Sequence, residues 1–292
     1  MASPAPAAGA RQPSSSAPVT RLRLQVSSPI PVEADALCPD KVAGLTRDQV
    51  RALPLFHGNK PKTVGEFFEV EGDGAEALEL TGDLSRFKKL GLGMSRGRLV
   101  VRGDAGMHLG AEMRGGRIEV FGSAGDWAGA EMRGGLVHVH GDAGNRAGAG
   151  YRGSEIGMRG GAILIDGDAG VEIGAFMRRG LIAVGGGAGD FAGAYMVAGS
   201  ILVFGALGAR AGAAMRRGTL LTLRPAEILP TFRDSGAQRF TFLKLLIEPL
   251  RRRGMKVPEG VERAPFRRYV GDAVELGLGE ILVLDGARET AP

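Results

Sequence analysis

Apolar residues recur at two fixed places in a nineteen-residue period that runs through the middle of the chain. Counting each copy from Gly97, Gly116, Gly135, Gly161, Gly180 and Gly199, positions three and five are aliphatic: Leu99/Val101, Ile118/Val120, Val137/Val139, Ile163/Ile165, Ile182/Val184 and Ile201/Val203. Burial of every second residue is the signature of a short strand. Position seventeen reads Met113, Met132, Tyr151, Met177, Met196 and Met215, a column expected to stack inside and fill the space between strands. The third copy is longer, and the simplest alignment puts its seven extra residues at Ser154 to Gly160.

Glycine marks the corners. It occupies position one and, as in GDAGMHLG from Gly103 to Gly110, positions seven, ten and fourteen of every copy. Recurrence in fixed register implies positive φ or close approach of backbones. The same G-x-x-G-x-x-x-G could be taken for a phosphate loop, but six repeats with no following helix read as corner geometry. A strand of about five residues and three corners leave no room for a helix, so each copy makes one turn of a solenoid.

The fold expected is all-β, a right-handed parallel β-helix of nineteen-residue rungs with small helical or irregular caps at both ends, the hand following the usual crossover rule. At roughly 4.8 Å per rung, six copies span about 30 Å. A degenerate rung (Ala77 to Arg96) and a later strand (Thr219 to Leu223) extend it. The expected division is a disordered tail over 1–20, an N-terminal cap over 21–76, the solenoid over 77–223, and a C-terminal cap with helix and final strand over 224–292. Caps are needed because open sheet edges recruit other strands. Thr46 to Gln49 has capping-box form for a short helix ending before Pro54. Ser235 precedes a helical pattern at Phe240, Leu243, Ile247 and Leu250 that closes at Gly254, and Glu280 to Leu284 reads as a strand returning to the sheet or to a partner.

Composition narrows the function. With 49 Gly in 292 residues and 5% aromatics, the core is thin. The lone Cys38 excludes a disulfide framework and fits a reducing, cytoplasmic setting. The Ala/Pro/Ser-rich start is not a signal peptide, and no segment is apolar enough to span a bilayer, so no membrane partner is expected. Catalytic motifs are missing and four His are present, so no catalytic residue is expected. His138 and His140 point the same way from one strand, with Glu119 and Asp166 at matching positions of adjacent rungs. A metal there competes with the plainer reading of two surface histidines on an outward strand face, and no metal is expected in this chain.

Position eighteen is different. It reads Arg114, Arg133, Arg152, Arg178, Val197 and Arg216, the next position adds Arg179 and Arg217, and Arg96 and Arg159 lie nearby. If position seventeen points inward, these point out. Like charges at rung spacing repel by roughly 1 kcal/mol per neighbouring pair even in water, so the column needs compensation. Glu112 and Glu131 can pair with Arg114 and Arg133, which leaves Arg152, Arg178 and Arg216 for an external anion. The net charge of +5 permits an elongated polyanion, either nucleic acid or a polycarboxylate tail. Sparse outward aromatics and the lack of a binding motif argue against nucleic acid. A merely solvated or protein-contacting edge is the competing explanation.

The rungs resemble the C-terminal β-helix of the glutamate synthase large subunit. They resemble more closely the C subunit of formylmethanofuran dehydrogenase and of its bacterial relative, the formyltransferase/hydrolase complex. The likeness extends to FHGNKPKTVGEFFEVEGDG (Phe56 to Gly74) and FRRYVGDAVELGLGEILV (Phe266 to Val283), and covers about residues 21 to 285. It implies a scaffold beside three partners: an amidohydrolase-like A subunit, a B subunit, and a formyltransferase D subunit. Their complex converts formyl-tetrahydromethanopterin to formate by way of a furan-type carrier. The alternatives the resemblance implies are the C subunit of a tungsten or molybdenum dehydrogenase and a purely structural glutamate-synthase-like domain. Furan carriers of this family bear a polyglutamyl chain, which gives Arg114, Arg133, Arg152, Arg178, Arg179, Arg216 and Arg217 a ligand to anchor.

Overall fold

The computed structural model describes residues 18–286, so most of the stretch expected as a tail, and the last six residues of the expected C-terminal cap, lie outside the described residues. Among the described residues seventeen strands form in chain order. They are β1 (Val19–Leu24), β2 (Val32–Glu33), β3 (Pro54–His57), β4 (Lys60–Thr63), β5 (Phe68–Glu71), β6 (Ala77–Thr81), β7 (Phe87–Lys88), β8 (Arg98–Arg102) and β9 (Arg117–Val120), followed by β10 (Leu136–Val139), β11 (Arg159–Ile165), β12 (Arg179–Val184), β13 (Ser200–Val203), β14 (Arg217–Thr222), β15 (Arg233–Arg239), β16 (Pro265–Gly271) and β17 (Leu278–Leu284). Thirteen join one sheet in the order β15-β16-β17-β14-β13-β12-β11-β10-β9-β8-β6-β1-β5, and β4-β3-β2-β7 make a small second sheet. The few helices are short, the longest being Leu243–Arg252.

From β6 to β14 every neighbour is parallel. Leu99 pairs with Ile118 and Ile118 with Val137, so the chain returns to the sheet one period later. A second line of single parallel bridges runs Leu84, Ala105, Ala124, Ala143, Ala169, Ala188, Leu207. Aliphatic positions three and five are fully buried, and so are Met113, Met132, Met177, Met196 and Met215.

Two kinds of glycine hold the corners. Gly116 has φ +78° and a Cβ there would stand 2.7 Å from Met94 Cε, so it is fixed both by conformation and by the methionine column. Gly125 has no positive φ; a Cβ would lie 2.9 Å from the Met107 amide nitrogen, so only the close approach of the previous rung demands it. Where strands give way to corners, side chains complete the ladder. Asp104 accepts from the Ser123 amide (2.8 Å), Asp142 from Asp168 (2.8 Å) and Asp168 from Gly187 (2.7 Å), which satisfies amides that no strand partner reaches.

Several expectations are revised. The insertion occupies 151–157, because Met158, fully buried, fills the methionine slot of the third rung while Tyr151 is only half-buried. A thioether fits the narrow interior and a phenol hydroxyl needs a partner, which Tyr151 finds outside in His108 Nδ1 at 3.1 Å. Val19 and Thr20, placed in the tail by sequence, belong to β1, where the buried Thr20 hydroxyl donates to Asp73 O and accepts from the Ala75 amide. Ser235 lies in β15, and the C-terminal helix begins at Leu243. The capping box holds: Thr46 Oγ1 accepts from the Gln49 amide at 3.3 Å and Gln49 Oε1 from the Thr46 amide at 2.8 Å. Glu280 to Leu284 returns to the sheet, parallel to β14 and antiparallel to β16.

The outward face of the strands is also buried over the later rungs. Leu164, Ala183, Leu202 and Leu221, at position four, pack with Leu243, Ile247 and Leu250 of the C-terminal helix and with Phe266 and Leu282. His138 belongs to this column and is 1% exposed, so it is not a surface histidine.

The methionine column yields a test. Met158→Ala should cost about 2 to 5 kcal/mol through the cavity it leaves, and Tyr151→Ala clearly less, when unfolding is followed in urea. Equal losses would refute the register.

Candidate functional site

The arginine column is set by the methionine beside it. Because Met113, Met132, Met158, Met177 and Met215 point inward, the next residue of each rung faces out. The amides of Arg114, Arg133, Arg159, Arg178 and Arg216 donate to the carbonyls of Met94, Met113, Met132, Met158 and Met196 at 2.7 to 2.8 Å, the same bond repeated rung after rung. The Arg114, Arg133, Arg178 and Arg216 residues are exposed, whereas Arg159 is half-buried and its Nε is enclosed without a hydrogen-bond partner.

Arg159 thus holds the third-rung place expected of Arg152. Arg152 sits in the turn of the insertion, closed by the Ser154 amide donating to Tyr151 O at 2.9 Å. The signal was present in the sequence: Met-Arg-Gly-Gly recurs at Met113, Met132 and Met158, whereas Tyr151 begins Tyr-Arg-Gly-Ser. Arg179 and Arg217 open β12 and β14 and are exposed beside the column.

Compensation differs from expectation as well. Among the described residues no ion pair joins Glu112 to Arg114 or Glu131 to Arg133. Both glutamates sit at positive φ, 57° and 53°, and Glu131 Oε1 instead accepts from the Tyr151 amide at 3.3 Å. Burial pushes the Tyr151 phenol up to about 12, with Glu112 and Glu131 adding to the effect. Arg216, expected to be unpaired, meets Glu275 through Nε at 3.0 Å, and Arg178 Nη2 donates to the Glu155 carbonyl at 3.4 Å.

At Val197 the column lacks its cation, and a cavity of about 310 Å³ opens there. Arg178 and Arg216 flank it, Val197 and Ala214 line it, and the insertion and the C-terminal segment contribute Glu155 and Glu275. Phe176 and Tyr195 form one wall, stacked with ring centroids 4.9 Å apart and planes 6° from parallel. Two cations, an aromatic shelf and the displaceable Glu275 carboxylate can receive an anionic group with a flat apolar portion. Glu275 was invisible as a site residue, since 59 positions separate it from Arg216.

A crystal structure of the formyltransferase/hydrolase complex (FhcABCD) from Methylorubrum extorquens in complex with methylofuran contains a chain that superimposes with TM-score 0.84 at 36% identity, over 90% of this chain and 99% of that one. The C subunit of molybdenum-containing formylmethanofuran dehydrogenase 1 from Methanothermobacter marburgensis is 43% identical over 83 residues, 28% of this chain and 21% of its own. The C subunit of tungsten-containing formylmethanofuran dehydrogenase 2 from Methanothermobacter wolfeii is 39% identical over 87 residues, 28% of this chain and 32% of its own. No family model matches the chain. The class is that of a ladder-like β subunit found in a multi-subunit formyl-processing complex. The chain belongs to the formylmethanofuran dehydrogenase C-subunit family, in the branch represented by the formyltransferase/hydrolase complex. The matches span about a fifth to a third of the length of the curated dehydrogenase subunits. Among the described residues no helix is long and apolar enough to cross a membrane.

The Arg216–Glu275 pair is half exposed, so a double-mutant cycle with Arg216→Gln and Glu275→Gln should give a coupling below about 1 kcal/mol in thermal unfolding. A coupling of several kcal/mol would mean that Arg216 is structurally committed and not available to a ligand.

Proposed function

We propose that this chain is the scaffold subunit of a formyltransferase/hydrolase complex and anchors the anionic tail of a furan-type formyl carrier on its arginine column. In this reading the main sheet closes as a right-handed parallel β-helix of nineteen-residue rungs, with 21–76 and 224–292 as its caps. Three partners surround it in the cytoplasm: an amidohydrolase-like A subunit, a B subunit, and a formyltransferase D subunit. They convert formyl-tetrahydromethanopterin to formate, and the chemistry is theirs. The assembly and the carrier are extended to this chain from the methylofuran-bound complex that it resembles.

The observation that carries the reading is an outward guanidinium repeated at one rung position, broken at Val197 where the cavity opens. A polyglutamyl chain presents carboxylates along an extended backbone. It can meet successive rungs roughly 4.8 Å apart without specific side-chain shape. Glu275 occupies Arg216 in the absence of a tail, and a tail carboxylate takes over by exchange rather than by creating a new charge pair. The anchor set is Arg114, Arg133, Arg159, Arg178 and Arg216, with Arg179 and Arg217 at its edge and Arg152, exposed in the turn of the insertion, as its outermost member.

Retention of the carrier through gel filtration of the purified complex tests this. Arg159→Gln with Arg178→Gln should lower retention by roughly tenfold at low salt, with a shallower salt dependence than the unsubstituted complex. Glu275→Gln should raise retention, and Arg152→Gln should change it least. Unaltered retention in the double variant, with the amidohydrolase and formyltransferase subunits still co-purifying, would eliminate the anchor while leaving the assembly in place.

A further inference from the structure

Away from the arginine column, three rungs bring together Glu119 on β9, His138 on β10 with His140 just beyond it, and Asp166 just beyond β11. One potential ligand atom from each of Glu119, His138 and His140 lies within 4.8 Å of the other two. We propose that these three residues bind a divalent transition-metal ion of the zinc class, with Asp166 as the carboxylate that orients both histidines.

The hydrogen bonding supports this. His140 Nδ1 stands 2.7 Å from Asp166 Oδ2, and its Nε2 stands 3.3 Å from Glu119 Oε1. Both facing atoms belong to carboxylates, which when ionised only accept. A neutral imidazole has one N–H, so the shorter contact uses it and the longer one joins two lone pairs unless a cation lies between them. A tetrahedral zinc ion with bonds of about 2.0 to 2.2 Å places adjacent ligand atoms about 3.4 Å apart, close to that longer separation.

His138 supplies the independent observation. It is 1% exposed, its Nε2 lies 3.0 Å from Asp166 Oδ1, and its Nδ1 has no hydrogen-bond partner. A buried ring nitrogen without a partner is costly, whereas in metal sites one nitrogen ligates and the other donates to a carboxylate. Asp166 serves both rings in that way. Their centroids are 4.1 Å apart, and Phe121 stacks on His140 at 4.8 Å, which restricts the ring's freedom to turn away.

Glu119 is prepared as a one-oxygen ligand. Arg98 Nη2 holds its Oε2 at 2.9 Å, while Oε1 faces His140 and accepts only the longer contact from Arg117 Nη2 at 3.4 Å. An ion here ties β9 to β10 directly and to the β11 rung through Asp166. It leaves a fourth coordination position for water. Three acceptor ligands with two imidazoles favour zinc over calcium or magnesium.

The test uses the full chain, stripped with chelator, dialysed and titrated with zinc chloride. One zinc per chain should remain after gel filtration by elemental analysis, and cobalt in its place should give the intense visible bands of a four-coordinate site. His140→Gln and Glu119→Gln should abolish stoichiometric binding, and Asp166→Asn should weaken it about 10- to 100-fold. Substoichiometric zinc in the folded unsubstituted chain would overturn the proposal and leave a hydrogen-bonded network around a protonated imidazole. Equal binding by His140→Gln would overturn it too. If a variant fails to fold, the unsubstituted chain's zinc content and cobalt spectrum decide alone. None of these readings depends on the arginine column.

Discussion

Adjacent rungs approach so closely at their corners that a Cβ cannot stand between them, and the rest of the structure follows from that constraint. At Gly116 the obstruction is a methionine from the rung before, and at Gly125 it is backbone. Removing the side chain lets corner amides reach a carbonyl or an aspartate of the neighbouring period, so the polar backbone is satisfied where the strands end. The interior left over is narrow. It accepts aliphatic pairs from the strands and a flexible thioether at the turn, and it rejects a phenol.

That rejection has a functional consequence. Once Met158 rather than Tyr151 enters the core, the seven-residue insertion precedes it and Arg159 takes the third place in the repeated amide bond. The insertion brings Glu155 to Arg178, and the final segment brings Glu275 to Arg216. Five arginine backbones are held by one repeated amide bond, while the groups that meet two of their side chains, the Glu155 carbonyl and the Glu275 carboxylate, come from irregular segments. The regular part sets the positions of the cations, and the irregular parts supply the groups that pair with them.

Much of this was legible in the sequence because periodicity reports backbone geometry directly. The nineteen-residue return, the aliphatic pairs, the outward arginines and the capping box at Thr46 can all be read from spacing. The register of the insertion was misread because glycine and arginine occur in both Tyr151–Arg152–Gly153 and Met158–Arg159–Gly160, and the choice turns on packing, not pattern. Three further features escaped for a related reason. His138 was assigned to solvent, whereas its ring is enclosed beside Asp166 and His140, neighbours that strand alternation alone does not reveal as a cover. Glu275 and the cavity at Val197 depend on how the C-terminal segment folds back. The glutamates at positive φ lost their expected arginines because a left-handed corner redirects the side chain, which one-letter spacing does not encode.

The most direct test of the central claim is a cryo-electron microscopy map of the complex assembled around this chain with its polyglutamylated furan carrier bound. Anchoring on this face predicts tail density running along the arginines, with carboxylates within hydrogen-bond distance of Arg159 and Arg178 and with Glu275 displaced from Arg216. A tail held wholly by other subunits, with the arginine face in solvent or buried against a partner, would contradict it.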